Sequence, residues 1–380
     1  MRIKEVHTYP ITLPVRPEFV IVSSAGRHAV SRYVLVELRT DEGISGWGEA
    51  TVMPIWSGET QGSALAAIDE ILGPFVVGRD HSEFEEIAAQ MDAILVDNFF
   101  TKAAVEMALL DLAGKAAGKP VYELLNGGAA VNALRIPIKF SIGLREPENA
   151  AGIAAEKVRE GFTALKMKVG PDAEKDLLRV RLVREAVGPD VRLNIDVNGG
   201  WSVDESIRQI PRYLPFDLDY VEQPVPRWDI DGMATVRAAS PLPIMADESV
   251  FAVWQAEQVL HKRAADLISI YPGKNGGILR SLTISRLAAA EGVACHVGSN
   301  LEWDIATAAM CQLVAAPPNV QVKRYPVDIL GPLYYAQRPK RQVVRFDGGH
   351  VEVPSGPGLG FDVDREEIEA LSQRRERRLE

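Results

Sequence analysis

Two lysines one residue apart, Lys166 and Lys168 in TALKMKVG, are followed by acids in three later segments and then by a third lysine. The acids lie in NIDVNG (Asp196), YVEQP (Glu222) and MADES (Asp247 or its neighbour Glu248), and the lysine is Lys274 in YPGKNGG. Carboxylates arriving after apolar runs repel one another and are costly to desolvate unless a cation lies among them, so three of them point to a bound metal ion. An all-oxygen donor set without a His or Cys cluster favours Mg²⁺ or Mn²⁺ over Zn²⁺. A lysine ordinarily titrates near about 10.4, but a dication and a second lysine nearby disfavour its ammonium form and let it take a proton. That is expected of Lys168, and the chemistry is metal-assisted proton abstraction. Two plainer readings compete: a lone Asp at a strand end often caps the next helix, and lysines can serve only to neutralise acids.

Lys168, Asp196, Glu222, Asp247 and Lys274 follow one another at steps of 25 to 28 residues. After Arg135, short apolar runs alternate with helical stretches: RIPIKFSIG, ALKMKVG, VRLNIDVNG, DYVEQP, LPIMADES, DLISIYPG and VACHVGS. Such alternation predicts parallel βαβ units, and a (β/α)₈ barrel allots roughly 31 residues to each. The predicted fold is α/β, a modified (β/α)₈ TIM barrel with all five groups at the C-terminal ends of successive strands, where barrel active sites lie. A doubly wound open sheet would gather its ligand groups at one switch point instead. Within NIDVNG the period of two turns Asn194, Asp196 and Asn198 to one face, and Lys166 and Lys168 share a face by the same rule. Asp247 and Glu248 are adjacent, so only one can point at the ion.

The first third has another pattern. IKEVHTYPITL and YVLVELRTDEGISGWGEA alternate like strands, the second broken by the turn Asp41-Glu42-Gly43, and from about Ser63 to Leu125 the spacing is helical. The stretches around Pro14, Pro17 and Gly26, and around Pro54, Trp56 and Gly58, have neither period and are predicted as loops. The expected organisation is an N-terminal α+β capping domain over 1–130, the barrel over 131–325, and a C-terminal segment over 326–380 that closes the barrel and returns to the cap.

Of 380 residues, 47% are hydrophobic and 25% charged, enough for a large core. A net charge of −10 argues against a nucleic-acid partner, whose phosphates need a basic face, and the C-terminal run REEIEALSQRRERRLE is read as a solvated helix. Cys295 and Cys311 are too few for a disulfide framework and the N-terminus lacks a signal peptide's apolar core, so a cytoplasmic location is expected. No apolar run approaches the roughly 20 residues that span a bilayer, so no membrane partner is expected.

The series KMK, DVN, EQP, ADES and GKNGG, with GWGE in the first third, resembles the enolase superfamily across essentially the whole chain. Within it the similarity is to the mandelate racemase/muconate lactonizing enzyme family and its lysine-based muconate lactonizing subgroup. The resemblance implies Asp196, Glu222 and Asp247 as metal ligands, with Asn198 and Glu248 beside them. It implies Lys168 and Lys274 as acid and base on opposite faces of the substrate, and Lys166 as electrostatic helper. The implied reaction removes the proton α to a carboxylate and gives an enediolate whose charge the metal stabilises. Lys274 stands in for the seventh-strand His, paired with a sixth-strand Asp, of the mandelate racemase subgroup. His296 in ACHVGSN is offset from that His and is expected in the pocket wall or the core. Asn300 and Glu302 in SNLEWD fall at the seventh-strand end, where lysine-based relatives carry an acid able to support Lys274 or touch substrate.

Specificity in the family comes largely from cap loops, here around Val20 to His28 and Met53 to Gly58. Asp328, with Trp56, Trp303, Tyr334 and Tyr335, could receive a substrate cation by an ion pair and cation–π contact, or the aromatics could pack the domain interface. PGKNGG and GSNLEWD are similar to segments of cis-3-hydroxyproline dehydratases and proline-betaine epimerases, which implies dehydration or epimerisation of a proline-like carboxylate. Muconate-type cycloisomerisation uses the same residues, and a catalytically silent metal-binding barrel is the reading from another class. The expected partners are a small carboxylate substrate and further copies of the chain in a homo-oligomer.

Overall fold

The computed structural model describes residues 1–127, 129, 131–316, 319–339 and 343–372. β1 (Ile3–Pro14) leads to a short hairpin, β2 (Ile21–Ser23) with β3 (Gly26–His28), and then to β4 (Val30–Thr40) and β5 (Ser45–Val52). β1, β4 and β5 form one antiparallel sheet in that order, the meander that the alternation predicts. The helix Phe99–Ala117 lies directly on β5 because two glycines of the GWGE segment leave room for its backbone. A Cβ at Gly46 or Gly48 would stand 2.1 Å or 1.8 Å from the carbonyl oxygen of Ala108 or Ala104. Phe100 through Gly114 are buried, so this helix is core between cap and barrel.

The RIPIKFSIG run contains two strands, not the single one its pattern suggests. β6 (Arg135–Pro137) pairs with the C-terminal hairpin β14 (Arg345–Asp347) and β15 (His350–Glu352), whereas β7 (Phe140–Ile142) opens the barrel. The parallel sheet continues through β8 (Ala164–Lys168), β9 (Arg192–Asp196), β10 (Leu218–Glu222), β11 (Ile244–Ala246), β12 (Leu267–Ile270) and β13 (Ala294–Val297). Where an eighth strand would stand, residues 320–328 make single parallel bridges, Val320 to Cys295 and Val327 to Ile138. The amide of Asp328 donates to the carbonyl of Val297 at 2.9 Å, so an irregular segment completes the barrel.

Cap and barrel are tied by buried carboxylates at helix N-termini, where unpaired amides need acceptors. Glu49 of β5 accepts from the amides of Trp303, Ile305 and Ala306 at the start of the helix Asp304–Ala315. Glu106 accepts from the amides of Ile278 and Leu279, both at 2.7 Å, at the start of the helix Ile278–Ala290. The two predicted loops also carry structure. The first holds the β2/β3 hairpin, turning at Ser24-Ala25, and the second the one-turn helix Pro54–Ser57, which starts at a proline suited to a first helical position. The short strand segments give too few residues for a period to show.

The chain ends, as described, with the helix Arg365–Leu371; 373–380, the rest of the run read as a solvated helix, lies outside the described residues. Arg365 forms an ion pair with Glu37 of β4, returning the C-terminal segment to the cap. Among the described residues no helix is long and apolar enough to cross a membrane.

Burial opposes the charge of Glu37, but hydrogen bonds from Arg365, Arg39, Ser45 and Tyr9 outweigh it and hold its pKa at about 2, below the ordinary 4.5. A folded-state pKa below the unfolded one means stability present above about pH 4.5 and lost as pH falls through about 2. Glu37→Gln is expected to cost about 2–3 kcal/mol at pH 7 and to flatten the acid limb of a thermal-midpoint profile between those values.

Candidate active site

The barrel register gathers the charged residues. Lys168 pairs with Asp196 across β8 and β9, Asp196 with Glu222 across β9 and β10, and Glu222 with Met245 two residues before Asp247. Lys274 follows β12 in the short helix Pro272–Asn275. All five side chains and Lys166 are buried at the C-terminal mouth.

Each acid has a lysine. Lys168 donates to Asp196, Lys274 donates to Asp247 at 2.7 Å, and Lys166 reaches Glu222 at 3.2 Å and Asp196 at 3.6 Å. Burial raises Glu222 well above the ordinary carboxylate range and neighbouring Asp196 adds to the rise. Burial acts the same way on Asp196, but Lys168 and Lys166 outweigh it and lower its pKa. Burial also opposes the charge of Lys166, yet Asp328, Glu222 and Asp196 outweigh it and raise this lysine well above its ordinary range. Lys166 is a fixed cation.

Among the described residues no three Asp, Glu, His or Cys side chains stand at the spacing of a formed metal site, because lysines rather than a common point hold the carboxylates. The donor chemistry nevertheless fits a hard dication: three oxygen anions at adjacent strand ends, one of them raised by its neighbour. Two further oxygens there lack partners. Glu248 accepts from Asn198 through Oε1 at 2.8 Å, while its Oε2 and the Oδ1 of Asn198 are buried and unpaired. Burial and adjacent Asp247 push Glu248 up to about 8.

Lys166 and Lys168 line a cavity of about 60 Å³, and a single water takes about 10–15 Å³ on this measure. A larger guest therefore needs the cap segments to open. Those segments are the β2/β3 hairpin, with Ser23 and His28, and Met53, Ile55 and Trp56 beyond β5. Burial pushes His28 down to about 4, so its ring is a neutral polar group near pH 7.

The structure sorts the other expected residues. Trp56, Asn198, Asn300, Asp328 and Tyr334 line the cavity. Asn300 also donates to the carbonyl of Thr51 at 3.0 Å. Glu302 accepts from the Ser299 hydroxyl at 2.6 Å and the Asn300 amide at 2.9 Å, shaping the wall from behind rather than supporting Lys274. Trp303 and Tyr335 pack against Tyr33 of the cap and take the interface role. Lys274 lies behind Asp247 and also donates to the carbonyls of Asp247 and Ser269.

His296 is a core residue. Its Nε2 is 2.9 Å from the ammonium of Lys139, and burial, with Lys139 beside it, lowers its pKa far below the ordinary range. Lys139 also donates to Tyr220 and stands 3.7 Å from Asp328, which accepts from Lys166 at 2.7 Å. The expectation that Asp328 awaits a substrate cation meets a carboxylate already paired. Sequence reasoning missed Lys139 and Tyr220; the available signal was a lone lysine inside the apolar run RIPIKFSIG.

Residues 5–126 match the N-terminal domain of the mandelate racemase / muconate lactonizing enzyme family, and residues 150–368 match the enolase C-terminal domain-like family. The chain belongs to the mandelate racemase/muconate lactonizing enzyme family. It is 31% identical to the N-succinyl-L-Arg/Lys racemase of Bacillus cereus over 98% of each chain. It is 34% identical to the L-Ala-D/L-Glu epimerase of Bacillus subtilis, over 95% of this chain and 97% of that one. The solved dipeptide epimerase of Cytophaga hutchinsonii, complexed with Mg and D-Ala-L-Val, has a TM-score of 0.90 at 29% identity, covering 97% of this chain and 98% of that one. Muconate cycloisomerases are also among the relatives. The chain is an enzyme of the enolase superfamily, of the racemase, epimerase and cycloisomerase kind.

Repulsion at Glu222 gives a testable asymmetry between stability and function. Burial, and then neighbouring Asp196, oppose any charge on Glu222, so Glu222→Gln gives up little in the folded state. The metal-free variant is expected to melt no lower than about 2 °C below wild type by calorimetry, a shift of about 1.6 kcal/mol in a chain this size.

Proposed function

We propose that this enzyme racemises or epimerises an amino-acid-type carboxylate by moving the proton on the carbon α to it, with Mg²⁺ held by Asp196, Glu222 and Asp247. One observation carries the reading: three buried carboxylates end consecutive strands, and each is matched by a lysine. The Mg in the Cytophaga hutchinsonii complex supports the choice of ion, and the racemase and epimerase relatives support the reaction. When bound, the ion neutralises the substrate carboxylate and the charge that develops on its oxygens as the α-proton leaves.

The chain's own residues do the rest. Lys168 faces the cavity and takes the α-proton. Lys274 delivers a proton to the opposite face once Asp247 turns away from it. Lys166, held cationic by its carboxylate neighbours, adds a fixed positive charge beside the developing oxyanion. Asn198 and Glu248 orient the acid cluster through their mutual hydrogen bond. The β2/β3 hairpin and the Pro54–Ser57 turn cover the substrate and exclude water. Cap, barrel and closing segment keep the boundaries 1–130, 131–325 and 326–380 in this reading.

Proton NMR in D₂O with Mg²⁺ tests it on a panel of N-acylated amino acids, dipeptides, proline derivatives and muconate. Wild type is expected to exchange an α-proton with inversion at carbon. Lys168→Ala and Lys274→Ala are each expected to lose about 10²–10⁴-fold in rate, the range for a general acid or base. An elimination product instead of inversion would assign a dehydratase, and ring closure of muconate a cycloisomerase. Exchange unchanged in both lysine variants would sink the assignment.

A further inference from the structure

Asp328 is the single carboxylate among the described residues that line the cavity, alongside the cations Lys166 and Lys168 and neutral His28. The acids of the metal cluster lie behind those lysines. A substrate carrying an ammonium group therefore has one candidate partner on the wall. That partner is already occupied from both sides: Lys166 donates to Asp328 at 2.7 Å, and Lys139 stands 3.7 Å away inside the barrel. The Ser141 hydroxyl adds a weaker contact at 3.4 Å.

Lys139 is not free to turn elsewhere. Its amide donates to the carbonyl of Val327 at 2.9 Å, fixing its backbone where β7 meets the closing segment that carries Asp328. Its side chain is fully buried and held by Tyr220, His296 and Asp328; burial lowers its pKa from the ordinary lysine value, Asp328 favours its charge and Lys166 opposes it. His296 is neutral, leaving Asp328 as the anion in contact with Lys139 among the described residues. Losing Lys139 would leave Asp328 with Lys166 at 2.7 Å on one side and remove the cation on its other side, opening room for another. Bringing a third cation to a carboxylate already beside two lysines gains little and adds repulsion from both.

Resting on the proton-abstraction reading above, we propose that Lys139 is a built-in counter-cation for Asp328 that makes the site select carboxylates without a charged amine near the reacting carbon. The substrate class is then the N-acylated amino acids, with a neutral amide on the α-carbon, rather than free amino acids, dipeptides or betaines. Lys139 acts through Asp328 and is a positioning residue. The proline-like substrates expected from the sequence fall on the rejected side unless their nitrogen is acylated.

N-acetyl-L-leucine and glycyl-L-leucine differ by one ammonium group, so with L-leucine they make a matched series. Each is offered to the Mg²⁺-loaded full chain, with α-proton exchange in D₂O and calorimetric binding read side by side. Wild type is expected to prefer N-acetyl-L-leucine over both cationic probes by at least about tenfold in kcat/KM and in affinity. Lys139→Met is expected to reverse the order, the KM for glycyl-L-leucine falling with kcat little changed. Lys139→Arg, which keeps the charge, is expected to preserve the wild-type order. Equal or better use of glycyl-L-leucine by wild type overturns the proposal while leaving the proton-abstraction reading intact, and needs no variant to fold. The expected binding preference without exchange of any probe supports the proposal and removes that reading instead. A folded Lys139→Met with the wild-type order overturns the assignment to Lys139.

Discussion

Carboxylates buried side by side cannot all stay ionised unless cations stand within a few ångströms of them. Asp196, Glu222 and Asp247 end three neighbouring strands, and parallel register sets them side by side. Lysines stand against them: Lys168 on Asp196, Lys166 on Glu222, Lys274 on Asp247. A dication held by Asp196, Glu222 and Asp247 would share in neutralising these acids, and Lys166 would stay a fixed cation beside them.

The rest of the architecture keeps that cluster dry and in place. Glycines at Gly46 and Gly48 let the helix Phe99–Ala117 lie flat on the cap sheet, and from that layer Glu49 and Glu106 cap two barrel helices. Cap and barrel are therefore fastened by charged hydrogen bonds away from the mouth. The parts left to open are the β2/β3 hairpin and the turn Pro54–Ser57 over the cavity. Fixed attachment beside short covering segments suits an enzyme whose chemistry is kept from water.

The chemistry of the mouth was legible in the sequence because a barrel repeats its strand ends at near-constant intervals. Lys168, Asp196, Glu222, Asp247 and Lys274 could be placed on one rim from spacing alone, while the choice of Asp247 over Glu248 needed family resemblance. Other features depend on contacts distant in the chain and leave no local period. Lys139 meets Asp328 only because the closing segment lies against β7, and His296 becomes core rather than wall for the same reason. The hairpin at Ile21–His28 is too short to show alternation, and the division of RIPIKFSIG between two sheets depends on the distant strand β15.

The central claim, one dication site made by three lysine-paired carboxylates, is met most directly by an electron paramagnetic resonance titration with Mn²⁺ on wild type and Asp247→Asn. The expected result is one bound ion per chain in wild type, displaced by Mg²⁺, and binding weakened at least about tenfold in the variant. Saturation at one ion per chain with equal affinity in Asp247→Asn, or no binding by wild type at millimolar Mn²⁺, would contradict it.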